Sequence, residues 1–241
     1  MLKNLNLGKT LRDAFFPLKY TCDVCGAETF GTNLCNGCKK TVVFNDKTVC
    51  PVCGRKTVRP EICLECKAQP PVYKQGVSAF VYDGGGIILI GKFKNGNGYL
   101  KEFFAELLAE RVKALPPFDC IVYVPATKKA VKRRGYNQTE LLAKSLSKRT
   151  GIPLISGAVQ KAKETEAQKG LTRKQRCENL KNAFKVAKPQ DIAGKNVLIV
   201  DDVLTTGATA DEISKAVLAA GAKRAYFAAV ASVEYKTLEK D

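Results

Sequence analysis

The 241-residue sequence predicts an α/β domain built on a mostly parallel sheet flanked by helices, preceded by a small cysteine-rich domain. Two observations carry that expectation. Near the C-terminal end, VLIVDDVLTTGATA (197–210) places an unbroken, branched apolar run before two carboxylates, a small hydroxyl-rich turn and a helical pattern. Such a run suits a central parallel strand buried on both faces. Near the N-terminus, the pattern C-x2-C-x9-C-x2-C occurs twice, the second copy shifted by 28 residues. A repeat of fixed period points to two copies of one small unit.

In chain order, Leu7, Leu11, Phe15 and Leu18 define one face of a short amphipathic helix within residues 1–19, stopped near Pro17. Residues 20–70 hold Cys22, Cys25, Cys35 and Cys38, then Cys50, Cys53, Cys63 and Cys66. A CxxC turn lets two thiolates grip one tetrahedral ion, and four thiolates make a closed, structural zinc site. A double zinc ribbon with two Zn²⁺ is therefore expected. The repeat favours one ion per set of four, with an interleaved cross-brace as the alternative pairing. Gln69-Pro70-Pro71 is a stiff linker, and residues 73–241 form the second domain.

Within that domain Val77, Ala79 and Val81 alternate as a strand. Gly84-Gly85-Gly86 reads as a turn before a short apolar helix holding Ile87 to Ile90. Leu100 to Leu115 has helical spacing, with Phe103, Phe104, Leu107, Leu108 and Val112 as core. Ile121 to Val124 is a buried strand that runs into Pro125-Ala126-Thr127 and a basic loop of Lys128, Lys129, Lys132, Arg133 and Arg134. Thr139 is placed to cap the helix from Glu140 onward. Residues 160–182, polar and basic, read as a flap over a crevice. Asp211 to Ala220 forms a helix stopped by Gly221, and Arg224 to Val233 a last strand. Cys120 and Cys177 lack partners at ligand spacing and read as free thiols.

The chemistry gathers at the end of the 197–200 strand. Asp201 and Asp202, at its exposed end, can accept hydrogen bonds from vicinal hydroxyls. In the turn Thr205 to Thr209, Gly207 lets the backbone approach a ligand, and the N-terminus of the following helix favours an anion. A sugar with two hydroxyls and a 5'-phosphate would satisfy both halves, outside the carboxyl ends of the strands. The basic loop reaches the same crevice, and its five cations suit a pyrophosphate or a nucleic-acid backbone. The formal charge is +17; eight thiolates and two divalent ions would leave about +13, still matched to phosphate-rich partners. No histidine is present, which excludes a histidine base or metal ligand. No apolar run approaches the ~18 residues of a membrane span, and no signal-peptide core is seen, so a cytoplasmic protein without membrane insertion is expected.

VLIVDDVLTTGATA closely resembles the phosphoribosyl pyrophosphate (PRPP) signature of type I phosphoribosyltransferases. Taken with the CxxC units and VPATKKAVKRRGYNQTELLAKSL (124–146), the chain from about residue 20 to about residue 233 resembles the ComF/ComFC competence family. The resemblance implies a type I phosphoribosyltransferase-like fold. It assigns Asp201 and Asp202 to the PRPP ribose, and Thr205, Thr206, Gly207, Ala208 and Thr209 to the 5'-phosphate. Ala126, Thr127 and Lys128 become a pyrophosphate loop, with Mg²⁺ carried alongside PRPP. Lys129, Lys132, Arg133 and Arg134 are candidates for nucleic acid. It further implies a role in natural competence, handling incoming single-stranded DNA, with other competence proteins as partners. Lys161 stands where the family has arginine, which keeps the charge but loses the bidentate fork. Two other readings stay open. One is an active phosphoribosyltransferase with a nitrogen nucleophile and unassigned catalytic residues; Thr205, where purine-salvage relatives carry aspartate, argues against purine salvage. The other is a nucleic-acid-binding module with a vestigial crevice.

Overall fold

The computed structural model describes residues 19–162 and 179–234. The helix expected within residues 1–19, most of the flap at 160–182, and Cys177 lie outside the described residues.

Strands β1 (Lys19–Thr21) and β2 (Glu28–Phe30) pair antiparallel, and helix α1 (Asn36–Lys39) completes the first cysteine unit. The second unit is closed by a bridge between Val49 and Lys56 and by α2 (Leu64–Ala68). The segment between the two units joins the main sheet. Asn45 N donates to Ala79 O (2.9 Å) and Val81 N donates to Val43 O (2.8 Å) along β3 (Gln75–Val81). The cysteine-rich region thus covers what would otherwise be a free sheet edge.

After β3 the chain forms α3 (Gly84–Lys94), α4 (Leu100–Val112), β4 (Cys120–Tyr123), α5 (Lys128–Arg134) and α6 (Gln138–Thr150). A small antiparallel hairpin of β5 (Val159–Lys161) and β6 (Phe184–Val186) precedes α7 (Pro189–Ile192). Strand β7 (Asn196–Leu204), helix α8 (Ala208–Ala219) and β8 (Arg224–Ser232) end the described chain. The main sheet has the order β3-β8-β7-β4 and is parallel throughout. Side chains alternate across it with period two. Leu198 and Val200 meet Leu89, Phe93, Phe104, Leu108 and Leu142 on one face. Val197 and Ile199 meet Ile192, Ile213, Val217 and Phe227 on the other. Both faces of β7 are therefore dry, as its unbroken apolar run requires. No described helix is long and apolar enough to cross a membrane.

Four local expectations change. Strand β3 is buried from Gly76 to Val81, not on alternate residues, because the cysteine-rich region covers it. Gly84-Gly85-Gly86 opens α3 instead of forming a separate turn. A Cβ on Gly85 would lie 2.6 Å from Thr41 Oγ1, and one on Gly86 2.5 Å from Val81 O, so these glycines allow close approach of backbones. The basic loop is helical, as α5, with Thr127 Oγ1 accepting from Ala130 N (3.1 Å). Asn137, not Thr139, caps α6: its Oδ1 accepts from Thr139 N, while the Thr139 hydroxyl donates to Val124 O (2.5 Å). The β5–β6 hairpin carried no sequence signal, since each strand is only three residues long.

Candidate functional site

Strand β7 continues straight through the acid pair, so Asp201 and Asp202 are 8% and 6% exposed, not solvated at an open end. Asp202 is held from two sides. Its Oδ1 lies 3.0 Å from Lys94 Nζ, in the last turn of α3, and its Oδ2 accepts from Gln138 Nε2 (2.6 Å), in the first turn of α6. Gln138 Oε1 in turn accepts from Arg134 Nη1 (2.7 Å), and Arg134 Nε is buried without a hydrogen-bond partner among the described residues. Asp201 Oδ1 accepts from the neighbouring Asp202 N (2.8 Å). Burial, and then the charge of Asp202, push the Asp201 carboxyl up to about 7. Burial pulls Lys94 down, but the Asp202 carboxylate outweighs it and the lysine is raised overall. Asp202 is therefore the member paired to Lys94 and Gln138, and Asp201 the member that burial biases toward holding a proton.

Lys94 and Gln138 are the site residues that sequence reasoning missed. A lysine ending an apolar helix and a glutamine opening a polar one are common, and only the fold brings them to one carboxylate.

Beyond Leu204 the turn Thr205 to Thr209 leads into α8. Gly207 has φ +86°, the left-handed region, and open space lies where its Cβ would be. As the N-cap of α8, Gly207 has no side chain to offer, and Thr206 Oγ1 makes one long contact, 3.4 Å, with Ala208 N. The other leading N–H groups of a helix lack helical partners by construction. Thr205, Thr206 and Thr209 are half-buried around this end, and Ala208 is buried. Such an end binds anions. From beneath, Arg55 of the second cysteine unit donates to the carbonyls of Leu204, Thr205 and Val233.

Ala126, Thr127 and Lys128 sit at the carboxyl end of β4, the strand next to β7, with Tyr123 opposite Val200. Along α5, Lys128, Lys129, Lys132 and Arg133 are exposed, whereas Arg134 turns inward to Gln138. The structure thus separates Arg134 from the other three nucleic-acid candidates. Lys161, on β5, has its Nζ 5.9 Å from the Phe184 ring centroid.

Each set of four cysteines is gathered in sequence order. Within Cys22, Cys25, Cys35 and Cys38, and within Cys50, Cys53, Cys63 and Cys66, all sulfurs lie within 4.8 Å of one another. Cys25 and Cys35 sulfurs are 3.8 Å apart, and those of Cys53 and Cys63 3.7 Å. A tetrahedron of thiolates at about 2.3 Å from zinc has edges of about 3.8 Å. The donor set and spacing fit structural zinc, one ion per set, and exclude the interleaved pairing. Cys120 is buried in β4.

The phosphoribosyl transferase domain family matches residues 130–241, and the double zinc ribbon domain family matches residues 11–67. The two together account for the parallel sheet flanked by helices and for the paired cysteine sets. Competence protein F of Haemophilus influenzae is 40% identical over 136 residues, 53% of this chain and 59% of that protein. DNA utilization protein YhgH of Escherichia coli is 40% identical over 116 residues, 48% of this chain and 50% of that protein. The chain spans about half the length of the curated relatives it matches. Adenine phosphoribosyl transferase of Trypanosoma brucei, solved with AMP, pyrophosphate and ribose-5-phosphate, is 17% identical, over 56% of this chain and 54% of that one. Its TM-score, 0.38, is too low to support residue correspondences.

Proposed function

We propose, for a chain that joins a double zinc ribbon to a phosphoribosyl transferase domain and has homologues named Competence protein F and DNA utilization protein YhgH, that it binds PRPP or ribose 5-phosphate and serves natural competence by handling incoming single-stranded DNA in the cytoplasm. The observation that carries the ligand is the pairing of a buried acid pair with a glycine-capped helix N-terminus, separated only by a short turn whose positive-φ glycine faces open space. Asp201 and Asp202 take the ribose hydroxyls. Thr205, Thr206, Gly207, Ala208 and Thr209 take the 5'-phosphate, and Ala126, Thr127 and Lys128 the pyrophosphate. Mg²⁺ would enter with PRPP and would offset the charge of its phosphates. Asp202 need not release Lys94 or Gln138, because each carboxylate oxygen has a second lone pair for a ribose hydroxyl. Two zinc ions per chain hold the cysteine units.

The test is a calorimetric titration of the full chain with PRPP and with ribose 5-phosphate, with and without Mg²⁺. Both are expected to bind and to compete, and absence of binding by either overturns the ligand. The DNA role is supported by the relatives' names and by the exposed cations of α5.

A second reading, transfer of phosphoribosyl from PRPP to a nitrogen nucleophile, is favoured by one observation. A cavity of about 730 Å³ opens beside the proposed pyrophosphate loop, lined by Tyr123, Ala126, Lys128, Tyr136, Glu140 and Lys161 among others. It has room for an acceptor. Release of pyrophosphate from PRPP in the presence of ammonia or amines would select this reading.

A further inference from the structure

We infer that Arg55 makes the second cysteine cluster a working part of the phosphate loop: metal held by Cys50, Cys53, Cys63 and Cys66 fixes the loop, and a sugar phosphate on the loop tightens the grip on that metal. The inference rests on the sugar-phosphate reading for its ligand arm only.

Arg55 belongs by sequence to the second ribbon, yet it is 4% exposed and reaches the ends of two central strands. Its Nη1 donates to Leu204 O (3.3 Å) and Val233 O (2.9 Å), and its Nη2 to Thr205 O. Leu204 ends β7 and Thr205 opens the turn, so two of these carbonyls belong to the backbone that leads into the phosphate site. A guanidinium is planar and forked, and can hold several carbonyls at fixed angles; an ammonium imposes no such plane.

The position of Arg55 is set by the cluster. It lies two residues after Cys53, its own carbonyl accepts from Cys50 N (2.8 Å), and Gly54 N donates to Cys50 O (2.9 Å). This knuckle has no slack against the sheet. A Cβ on Gly54 would collide with Val77 Cα and lie 2.7 Å from Gly76 O. Gly76 N donates to Val52 O (2.8 Å), and Ser78 Oγ donates to Gly54 O (2.6 Å). A second strap follows in the chain, four residues past α2: Val72 N donates to Asp211 Oδ1 (2.8 Å) in the first turn of α8. The loop is therefore held at its start by the second ribbon, and at the helix it enters by the segment that follows that ribbon.

The first cluster provides the contrast. Its surroundings make their hydrogen bonds elsewhere: Tyr99 hydroxyl donates to Asp23 (2.7 Å), and Gly85 N donates to Thr41 O (3.0 Å). These bonds run to α3 and to the start of α4, not to the phosphate turn. Metal on the first cluster should leave the loop unmoved.

Because the thiolate knuckle takes its shape with its metal, removing the ion frees the segment that aims Arg55. Reciprocity then requires that ligand on the loop raise metal affinity at the second cluster by the factor by which metal raises ligand affinity.

The experiment uses the full chain with both clusters loaded, ribose 5-phosphate as probe, a graded chelator, and hydrogen exchange read on segments 22–38, 50–66 and 204–210. Ribose 5-phosphate is expected to protect 204–210 and 50–66 but not 22–38, and to raise the chelator needed to strip one of the two metals by about tenfold. Arg55→Met should keep both metals and still bind ribose 5-phosphate, with that factor reduced toward one, the Val72–Asp211 strap remaining; Arg55→Lys should restore part of it. An equal factor in parent and Arg55→Met overturns the inference. If the parent binds no ribose 5-phosphate, the ligand reading falls and the coupling is read without ligand. Stripping metal must then expose the 204–210 amides, and unchanged protection overturns it. Should Arg55→Met fail to fold, the chelation arm on the parent decides.

Discussion

Asp202 shows how one carboxylate can be both structural and available. Lys94 and Gln138 hold it in place, at 3.0 and 2.6 Å, and leave lone pairs for a ligand. Asp202→Ala is expected to weaken PRPP and ribose 5-phosphate binding by about 1–3 kcal/mol, since a ligand hydroxyl loses a charged acceptor. Equal affinity in mutant and parent, measured by calorimetry, would show that the ribose lies elsewhere. Asp201 carries a different prediction. Its carboxyl titrates near 7 in the fold, raised by burial and by Asp202, against 3.8 in the unfolded chain. Between those values the folded state keeps a proton that the unfolded state has lost. Stability contributed by this group is thus present at low pH and lost as pH rises from about 4 to about 7. Asp201→Asn cannot ionise and should lack that decline. Melting temperatures of both proteins across this range check it, and parallel curves would refute it.

Among the elements, α5 divides its cations by direction. Lys129, Lys132 and Arg133 are exposed, while Arg134 is drawn to Gln138 and so to the acid pair. Replacing Lys129, Lys132 and Arg133 by alanine should flatten the salt dependence of single-stranded DNA binding, by about 0.7 in log–log slope for each phosphate no longer neutralised. Arg134→Ala should leave that slope nearly unchanged and weaken sugar-phosphate binding instead. Filter binding over a salt series, beside calorimetry, separates the two. Helix α3 makes a packing prediction. Its opening glycines lie so close to Thr41 and β3 that Gly86→Ala, with its Cβ 2.5 Å from Val81 O, should cost roughly 1–3 kcal/mol of stability in urea unfolding.

At the scale of the molecule, the ribbons are built into the sheet. Phe44 bridges to Phe80, Asn45 donates to both Ser78 and Ser232, and Arg55 holds Val233. Two zinc ions per chain are expected by elemental analysis. Their removal should lower the stability of the whole chain in one transition, because 43–45 and Arg55 join both parts. An α/β domain that melts unchanged after chelation would contradict that coupling.

The sequence by itself determined the local chemistry. The unbroken run 197–200 specified a central strand, since only a strand dry on both faces tolerates it. The cysteine repeat specified two four-thiol units, and the stretch 201–210 specified an acid pair followed by a glycine turn and a helix start. Tertiary structure decided everything that depends on distant neighbours. It chose sequential over interleaved cysteines, buried the acid pair, and brought Lys94 and Gln138 to Asp202 from helices whose sequences say nothing of one another. It also turned Arg55 from a ribbon residue into a brace for the turn before α8, 150 residues away in sequence. Periodicity and short motifs encode which groups a segment offers; which groups meet across the chain is set by how helices and sheet pack.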